Sequence, residues 1–205
     1  RKKMPRLFTI NFVMETGAEP SFMISEDFNR DGEIDLVVTN SGDNTLSYFK
    51  GNGDGTFKSQ IIMNTGEDPI CVVTSDFNNN GYLDLAVLNY RDQTINIYFN
   101  SRFGNFKKTG ITLRPGKIPI NMVSGDFNRD GINDLAVTMR YHKVMILLGK
   151  GKGRFKNPVP IKVKGQPTAI VVGDYDKNKI LDIGVALAGS GKTGVQILWG
   201  VGDGT

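Results

Sequence analysis

The chain has 205 residues with 39% hydrophobic and 22% charged side chains, enough apolar material for one sizeable core or two small ones and too much for a disordered chain, while its longest apolar runs stop far short of the ~20 residues of a membrane-crossing helix. A single cysteine, Cys71, excludes an intrachain disulfide and CxxC chemistry, and a single histidine, His142, leaves no His-based metal site and no supported Ser-His-Asp triad. The net charge of +4 is uneven: residues 1–100 carry 8 Lys+Arg against 14 Asp+Glu, and residues 101–205 carry 17 against 7, so one half is acidic and the other strongly basic.

In chain order, residues 1–7 read as an N-terminal tail and Phe8–Met14 as a first strand. Asp27-Phe-Asn-Arg-Asp-Gly-Glu-Ile-Asp-Leu36 follows, and then the glycine-rich Phe49-Lys-Gly-Asn-Gly-Asp-Gly-Thr-Phe57. The second unit contains Asp76-Phe-Asn-Asn-Asn-Gly-Tyr-Leu-Asp-Leu85 and predicts four strands, Ile70–Ser75, Leu85–Asn89, Thr94–Phe99 and Phe106–Leu113. Its glycine-rich stretch, Phe99–Phe106, lacks the early glycine. The third unit carries Asp126-Phe-Asn-Arg-Asp-Gly-Ile-Asn-Asp-Leu135, the turn Arg140-Tyr-His-Lys143 and the basic run Lys150–Lys156. The fourth carries Asp174-Tyr-Asp-Lys-Asn-Lys-Ile-Leu-Asp-Ile183, the alternating run Val195–Trp199 and Gly200-Val-Gly-Asp-Gly-Thr205.

The four Asp segments start 49, 50 and 48 residues apart, and each follows a proline by seven residues (Pro20, Pro69, Pro119, Pro167). Four short antiparallel strands per unit of about 49 residues, with no sustained helical period, is the pattern of a propeller blade. The expected fold is an all-β propeller of four four-stranded blades forming one domain over residues 8–205. The stretch Gly200–Thr205 repeats Gly51–Thr56 without a following phenylalanine, and Phe8 stands 19 residues before its Asp loop, as Phe57 does before the next. Phe8–Met14 is therefore expected to complete the last blade and close the ring; the rival is a piece of a larger ring with two exposed edges.

The Asp loops predict calcium from ligand types. Oxygen side chains at positions 1, 3, 5 and 9, a carbonyl at 7 and a glycine bend at 6 make a hard-oxygen cage of the kind Ca²⁺ prefers. The expected ligands are Asp27, Asn29, Asp31, Asp35 and the Glu33 carbonyl; Asp76, Asn78, Asn80, Asp84 and the Tyr82 carbonyl; Asp126, Asn128, Asp130, Asp134 and the Ile132 carbonyl; and Asp174, Asp176, Asn178, Asp182 and the Ile180 carbonyl. Up to four structural ions result. An EF-hand does not fit, because position 12 is Val38, Val87, Val137 or Val185 and not the bidentate glutamate. Asp, Asn and Gly also make good turns, but turn-making does not require a carboxylate again at position 9. The second loop has two carboxylates and the fourth carries Lys179 in place of glycine, so the first and third are expected to bind tightest.

The glycine-rich stretch paired with Asp-x-Asn-x-Asp-Gly-x-x-Asp in each unit resembles the FG-GAP/VCBS repeat family, which includes the propeller head of integrin α subunits. The resemblance covers about residues 8–205 and implies extracellular display and binding of a protein or glycan ligand by a non-enzymatic adhesion module. Alternatives are a lectin-like propeller using Tyr82, Tyr90, Tyr98 and Tyr141 as platforms, and a polyanion-binding face formed by Lys150–Lys156 with Lys107, Lys108, Lys162 and Lys164. No specific nucleic-acid site is expected. Catalysis is not expected, because Glu15, Glu19, Asp43, Glu67, Asp68 and Asp92 show no spacing that picks out a pair. Phe57, Phe106 and Phe155 read as anchors between blades, Cys71 as a buried residue of an innermost strand, Trp199 as a packing residue and His142 as an exposed turn residue.

Overall fold

The computed structural model describes residues 12–203. Its described residues form fifteen strands and no helix. The first sheet holds β1 (Pro20–Glu26), β2 (Asp35–Asn40), β3 (Thr45–Phe49) and β4 (Ile61–Asn64), and the second β5 (Pro69–Ser75), β6 (Asp84–Asn89), β7 (Thr94–Asn100) and β8 (Phe106–Leu113). The third holds β9 (Pro119–Gly125), β10 (Asp134–Met139), β11 (Lys143–Leu147) and β12 (Val159–Lys162), and the fourth β13 (Gly165–Gly173), β14 (Asp182–Gly191) and β15 (Gly194–Leu198). Every sheet is an antiparallel meander in chain order, so each is one propeller blade. The strands expected in the second unit are all present, with ends shifted by one residue at most.

The blades stack through their inner strands, β1 on β5, β5 on β9 and β9 on β13. A second strand is thus sandwiched between two blades, which is why Asp84–Asn89 and Asp134–Met139 are buried at every position. The period of two survives as a choice of neighbour: Leu85 and Val87 join the core shared with blade 1, Ala86 and Leu88 the one shared with blade 3. A third core joins blades 3 and 4 through Phe127, Ile146, Ile183 and Val185.

Between β13 and β1 no comparable packing exists among the described residues. The outward faces of the two end blades are exposed at Phe22, Met23, Val171 and Tyr175. The tail 1–7, and residues 8–11 of the strand expected to close the ring, lie outside the described residues; Phe12–Met14 carry no strand. Phe12 and Met14 line a hollow with Phe49 and Phe57 of blade 1.

Candidate metal centre

All four Asp loops lie at the start of a second strand and share one hydrogen-bond pattern. The position 1 carboxylate accepts the backbone N–H of positions 5 and 6, as in Asp31 and Gly32 on Asp27 at 3.1 and 2.9 Å. The same pair of bonds recurs on Asp76, Asp126 and Asp174. Position 3 accepts the N–H of position 5 in three loops (Asn29, Asn128, Asp176), and position 5 accepts the N–H of position 7 in all four. Such folding back brings the oxygens of a short loop together and makes position 6 left-handed: φ is 90° at Gly32, 87° at Gly81 and 78° at Gly131.

Lys179 takes the same position with φ 67°, and its N–H reaches Asp174 at 2.9 Å as Gly32 reaches Asp27. The missing glycine therefore leaves the fourth loop's shape intact, at the cost of a side chain in a region L residues avoid. This loop is also where the described residues gather three acidic side chains: oxygens of Asp174, Asp176 and Asp182 lie within 4.8 Å of one another. The other loops have Asn29, Asn78 or Asn128 at position 3, so only the fourth puts a carboxylate there. The first and third loops, expected to bind tightest, carry their third carboxylate at position 5 instead, as Asp31 and Asp130.

Position 9 has a second role that ligand spacing did not reveal. Asp35, Asp84, Asp134 and Asp182 are all fully buried. Asp84 accepts Phe77 N–H at 3.0 Å and Asn100 N–H at 2.8 Å, Asp134 accepts Phe127 and Gly149 at 2.9 and 2.7 Å, and Asp182 accepts Tyr175 and Gly200 at 2.9 and 2.8 Å. At Asp35 the Tyr48 hydroxyl, at 2.8 Å, joins Gly51 N–H at 2.9 Å. At Asp84, Asp134 and Asp182 the carboxylate thus ties the loop start to the chain leaving the third strand. Glycine is needed at three of those exits because a Cβ on Gly51, Gly149 or Gly200 would run into the carbonyl of Ile34, Asn133 or Leu181. In the second unit Asn100 replaces it and turns its amide to the Phe28 carbonyl of blade 1 at 2.8 Å. Burial pushes the carboxyls of Asp84 and Asp134 up to about 6, against the pull of their backbone donors.

The remaining expected residues fall into plainer roles. Phe106 meets Phe28 and Tyr48 edge-on with ring centres 5.4 and 5.2 Å away, and Phe155 meets Phe77 at 6.0 Å, so both anchor one blade to the preceding one. Arg30, which no motif singled out, bonds the Gly81 carbonyl and lies 4.5 Å over the Tyr82 ring, joining two neighbouring Asp loops. Cys71 is buried in β5, where burial raises its thiol to about 12. His142 sits in its turn but is half-buried, and Trp199, expected to be packed, is 59% exposed.

Asp43 and Asp92 are turn clips that accept Ala18 or Glu67 N–H and the hydroxyl of Thr45 or Thr94, and the Thr45 and Ala18 bonds hold Asp43 below the usual carboxylate range. The tyrosines do not form one platform. Tyr98 is buried, Tyr82 lies at the Asp-loop end of its blade, and Tyr90 and Tyr141 lie at the opposite ends of β6 and β10. Lys150, Lys152, Arg154 and Lys156 are exposed, as expected of a solvated loop.

The FG-GAP-like repeat matches residues 27–87, 76–137 and 126–185, consecutive pairs of Asp loops with the blade between them. No curated protein matches the chain significantly. Among solved structures, crystals of BBS1N in complex with ARL6DN soaked with lead or mercury match with a TM-score of 0.57 each, at 19% and 20% identity, over 89% of this chain. The chain spans just over half of those chains, 57% and 54%, and at this identity the likeness is one of fold. Repeat matches across most of the sequence, on the loops whose geometry recurs blade by blade, make this chain a member of the FG-GAP-like repeat family with a β-propeller fold.

Proposed function

We propose that the chain is a calcium-stabilised, non-enzymatic interaction propeller that works outside the cytoplasm as an adhesion module for a protein ligand. The observation that carries the calcium reading is the convergence of Asp174, Asp176 and Asp182. Three carboxylates at this separation repel one another, and a divalent cation turns the repulsion into a clip between loop and strand. Asp174, Asp176, Asn178, Asp182 and the Ile180 carbonyl would hold it, all oxygen donors and so matched to Ca²⁺ rather than to a softer metal.

The equivalent residues serve the other three loops with fewer converging carboxylates: Asp27, Asn29, Asp31, Glu33 and Asp35; Asp76, Asn78, Asn80, Tyr82 and Asp84; Asp126, Asn128, Asp130, Ile132 and Asp134. The ion's part is structural. Loops without a bidentate glutamate bind weakly, which suits millimolar external calcium. A protein partner is supported by the BBS1N propeller, which is in complex with a protein.

Isothermal titration of the metal-free protein with CaCl₂ and with MgCl₂ tests this reading. Saturable calcium binding, weaker for magnesium and reduced by one site in Asp182→Ala, is expected. A calcium titration with no heat and no change in melting temperature refutes it.

A further inference from the structure

At the end of the blades opposite the Asp loops, the first two units build the same polar network around an aspartate. Residues 41–44 join β2 to β3 and residues 90–93 join β6 to β7. Asp43 accepts the Ala18 N–H at 3.0 Å and the Thr45 hydroxyl at 2.7 Å, while the Asn40 amide donates to Thr45 and Ser47. Asp92 repeats this with the Glu67 N–H at 3.2 Å and Thr94 at 2.7 Å, and the Asn89 amide donates to Thr94 and Asn96.

In the third blade every member of this network is replaced. The strand register puts Met139, Lys143 and Met145 where the first two units have Asn40, Thr45 and Ser47 or Asn89, Thr94 and Asn96, and the connection shortens to residues 140–142, which include no carboxylate. Ala18 and Glu67 stand two residues before the proline of their blades, as Lys117 does before Pro119, and the Lys117 N–H has no acceptor among the described residues. The place of the aspartate is open: a Cβ on Gly17 or Gly66 would strike the carboxylate of Asp43 or Asp92 at 2.6 or 2.5 Å, whereas one on Gly116 meets nothing nearer than the Met139 methyl at 3.3 Å. A cavity of about 330 Å³ lies here, lined by Met139 and Met145 together with Lys117, Arg140, Tyr141 and Lys143. Its three cationic residues are exposed and have no ion-pair partner among the described residues. Tyr141 and His142 are left-handed in succession, with φ 68° and 63°, a strained turn that leaves Tyr141 64% exposed beside the opening.

We propose that this cavity receives the carboxylate of an aspartate or glutamate in an acidic segment of a protein partner, in the place that Asp43 and Asp92 fill within their own blades. The inference rests on the reading of the chain as an interaction module for a protein ligand and names the chemistry of that ligand. The internal copies define it: one carboxylate oxygen takes the N–H two residues before the proline, and the other takes the side chain that opens the third strand. With Lys143 in place of threonine, the second contact becomes a charge-assisted bond. Met139 and Met145 supply an adaptable apolar lining for the stem of the incoming side chain. No acidic residue lines the cavity, and it lies in the half of the chain with 17 Lys+Arg against 7 Asp+Glu, so the surrounding field favours an acidic partner.

Amide NMR of the full nitrogen-15-labelled chain, with calcium in excess, tests this. The probe is the capped peptide acetyl-Gly-Asp-Asp-Gly-amide, with the Gly-Asn-Asn-Gly version, sodium acetate and a heparin hexasaccharide as comparisons. Saturable movement of the Lys117 amide signal is expected, with the asparagine peptide at least about tenfold weaker. The double variant Arg140→Ser with Lys143→Thr, at two exposed positions, should weaken the acidic peptide by about as much and leave the melting temperature unchanged.

A Lys117 amide that does not move, an asparagine peptide that binds as well, or a double variant that binds like the parent overturns the proposal. Acetate that moves Lys117 as far at matched carboxylate concentration makes this a small-anion pocket, and a heparin fragment that displaces the peptide at lower concentration makes a glycan the occupant; either result overturns it too. A chain that binds calcium and ignores the peptide loses only this pocket, and one that binds the peptide without taking up calcium loses only the calcium reading.

Discussion

Replacing Asp134 by asparagine separates the structural role of a position 9 carboxylate from its role as a ligand. In the folded protein this carboxyl titrates at about 6 because it is buried, against an ordinary value of 3.8. A raised folded pKa means that the stability it contributes is complete below the unfolded value and is lost as pH rises through 6. Between pH 4.5 and 7.5 the loss for metal-free protein is about 2 kcal/mol, from linkage between those two values. The amide carries no charge, so it escapes this loss. It also turns an N–H₂ toward one of the two donors, Phe127 or Gly149, which costs about 1–3 kcal/mol at any pH. Urea unfolding of metal-free wild type and Asp134→Asn should therefore differ by about 2 kcal/mol at pH 4.5 and by little at pH 7.5. Adding calcium at pH 7.5 should reopen the difference, because the cation favours the charged carboxylate and the amide is a poorer ligand. A difference that is the same at both pH values without calcium refutes the buried-carboxylate argument; one that calcium does not change removes Asp134 from the ligand set.

Three further outcomes are expected. Asp176→Asn makes the fourth loop resemble the others at position 3 and should cut the calcium-induced rise in melting temperature more than Asn128→Ala does in the third; equal effects would show that the three-carboxylate cluster is not the strongest site. Phe106→Ala empties the socket between two edge-on rings and should cost about 3 kcal/mol in chemical denaturation, against about 1 for half-buried Phe57→Ala, which has no ring partner among the described residues; equal losses would sink the anchor reading. Ile118 precedes Pro119 with φ 59°, where Glu19 and Asp68 stand in the first two units, so Ile118→Asn should raise stability by roughly 1 kcal/mol by relieving a β-branched residue in the left-handed region.

The repeat made most of this fold legible. Four loops in register, each followed by short apolar runs, placed the second unit's strands to within a residue, because blade packing forces the same pattern every 48 to 50 residues. The site was less legible, for reasons that lie in three dimensions. Position 9 was read as excess to the needs of a turn, yet Asp84, Asp134 and Asp182 each bond two backbone N–H groups from segments that ligand spacing alone does not bring together. Lys179 looked like a defect, but a left-handed backbone needs only the right φ, which loop closure around Asp174 imposes. Trp199 belonged to an alternating run and was expected to pack, but burial depends on the neighbour across the sheet, and the described structure puts a groove there instead.

The position 9 carboxylates also bear on calcium. A carboxylate that already accepts two backbone bonds is held in place before any ion arrives, and its remaining lone pairs are aimed by those bonds. The backbone clip and the cation are therefore not competing explanations for the same aspartate. Two backbone bonds fix position 9 at Asp84, Asp134 and Asp182, and the third carboxylate of a loop comes from position 5 in the first and third (Asp31, Asp130) and from position 3 in the fourth (Asp176). Calcium dependence should accordingly follow the carboxylates at positions 3 and 5, Asp31, Asp130 and Asp176, more closely than it follows the glycine at position 6.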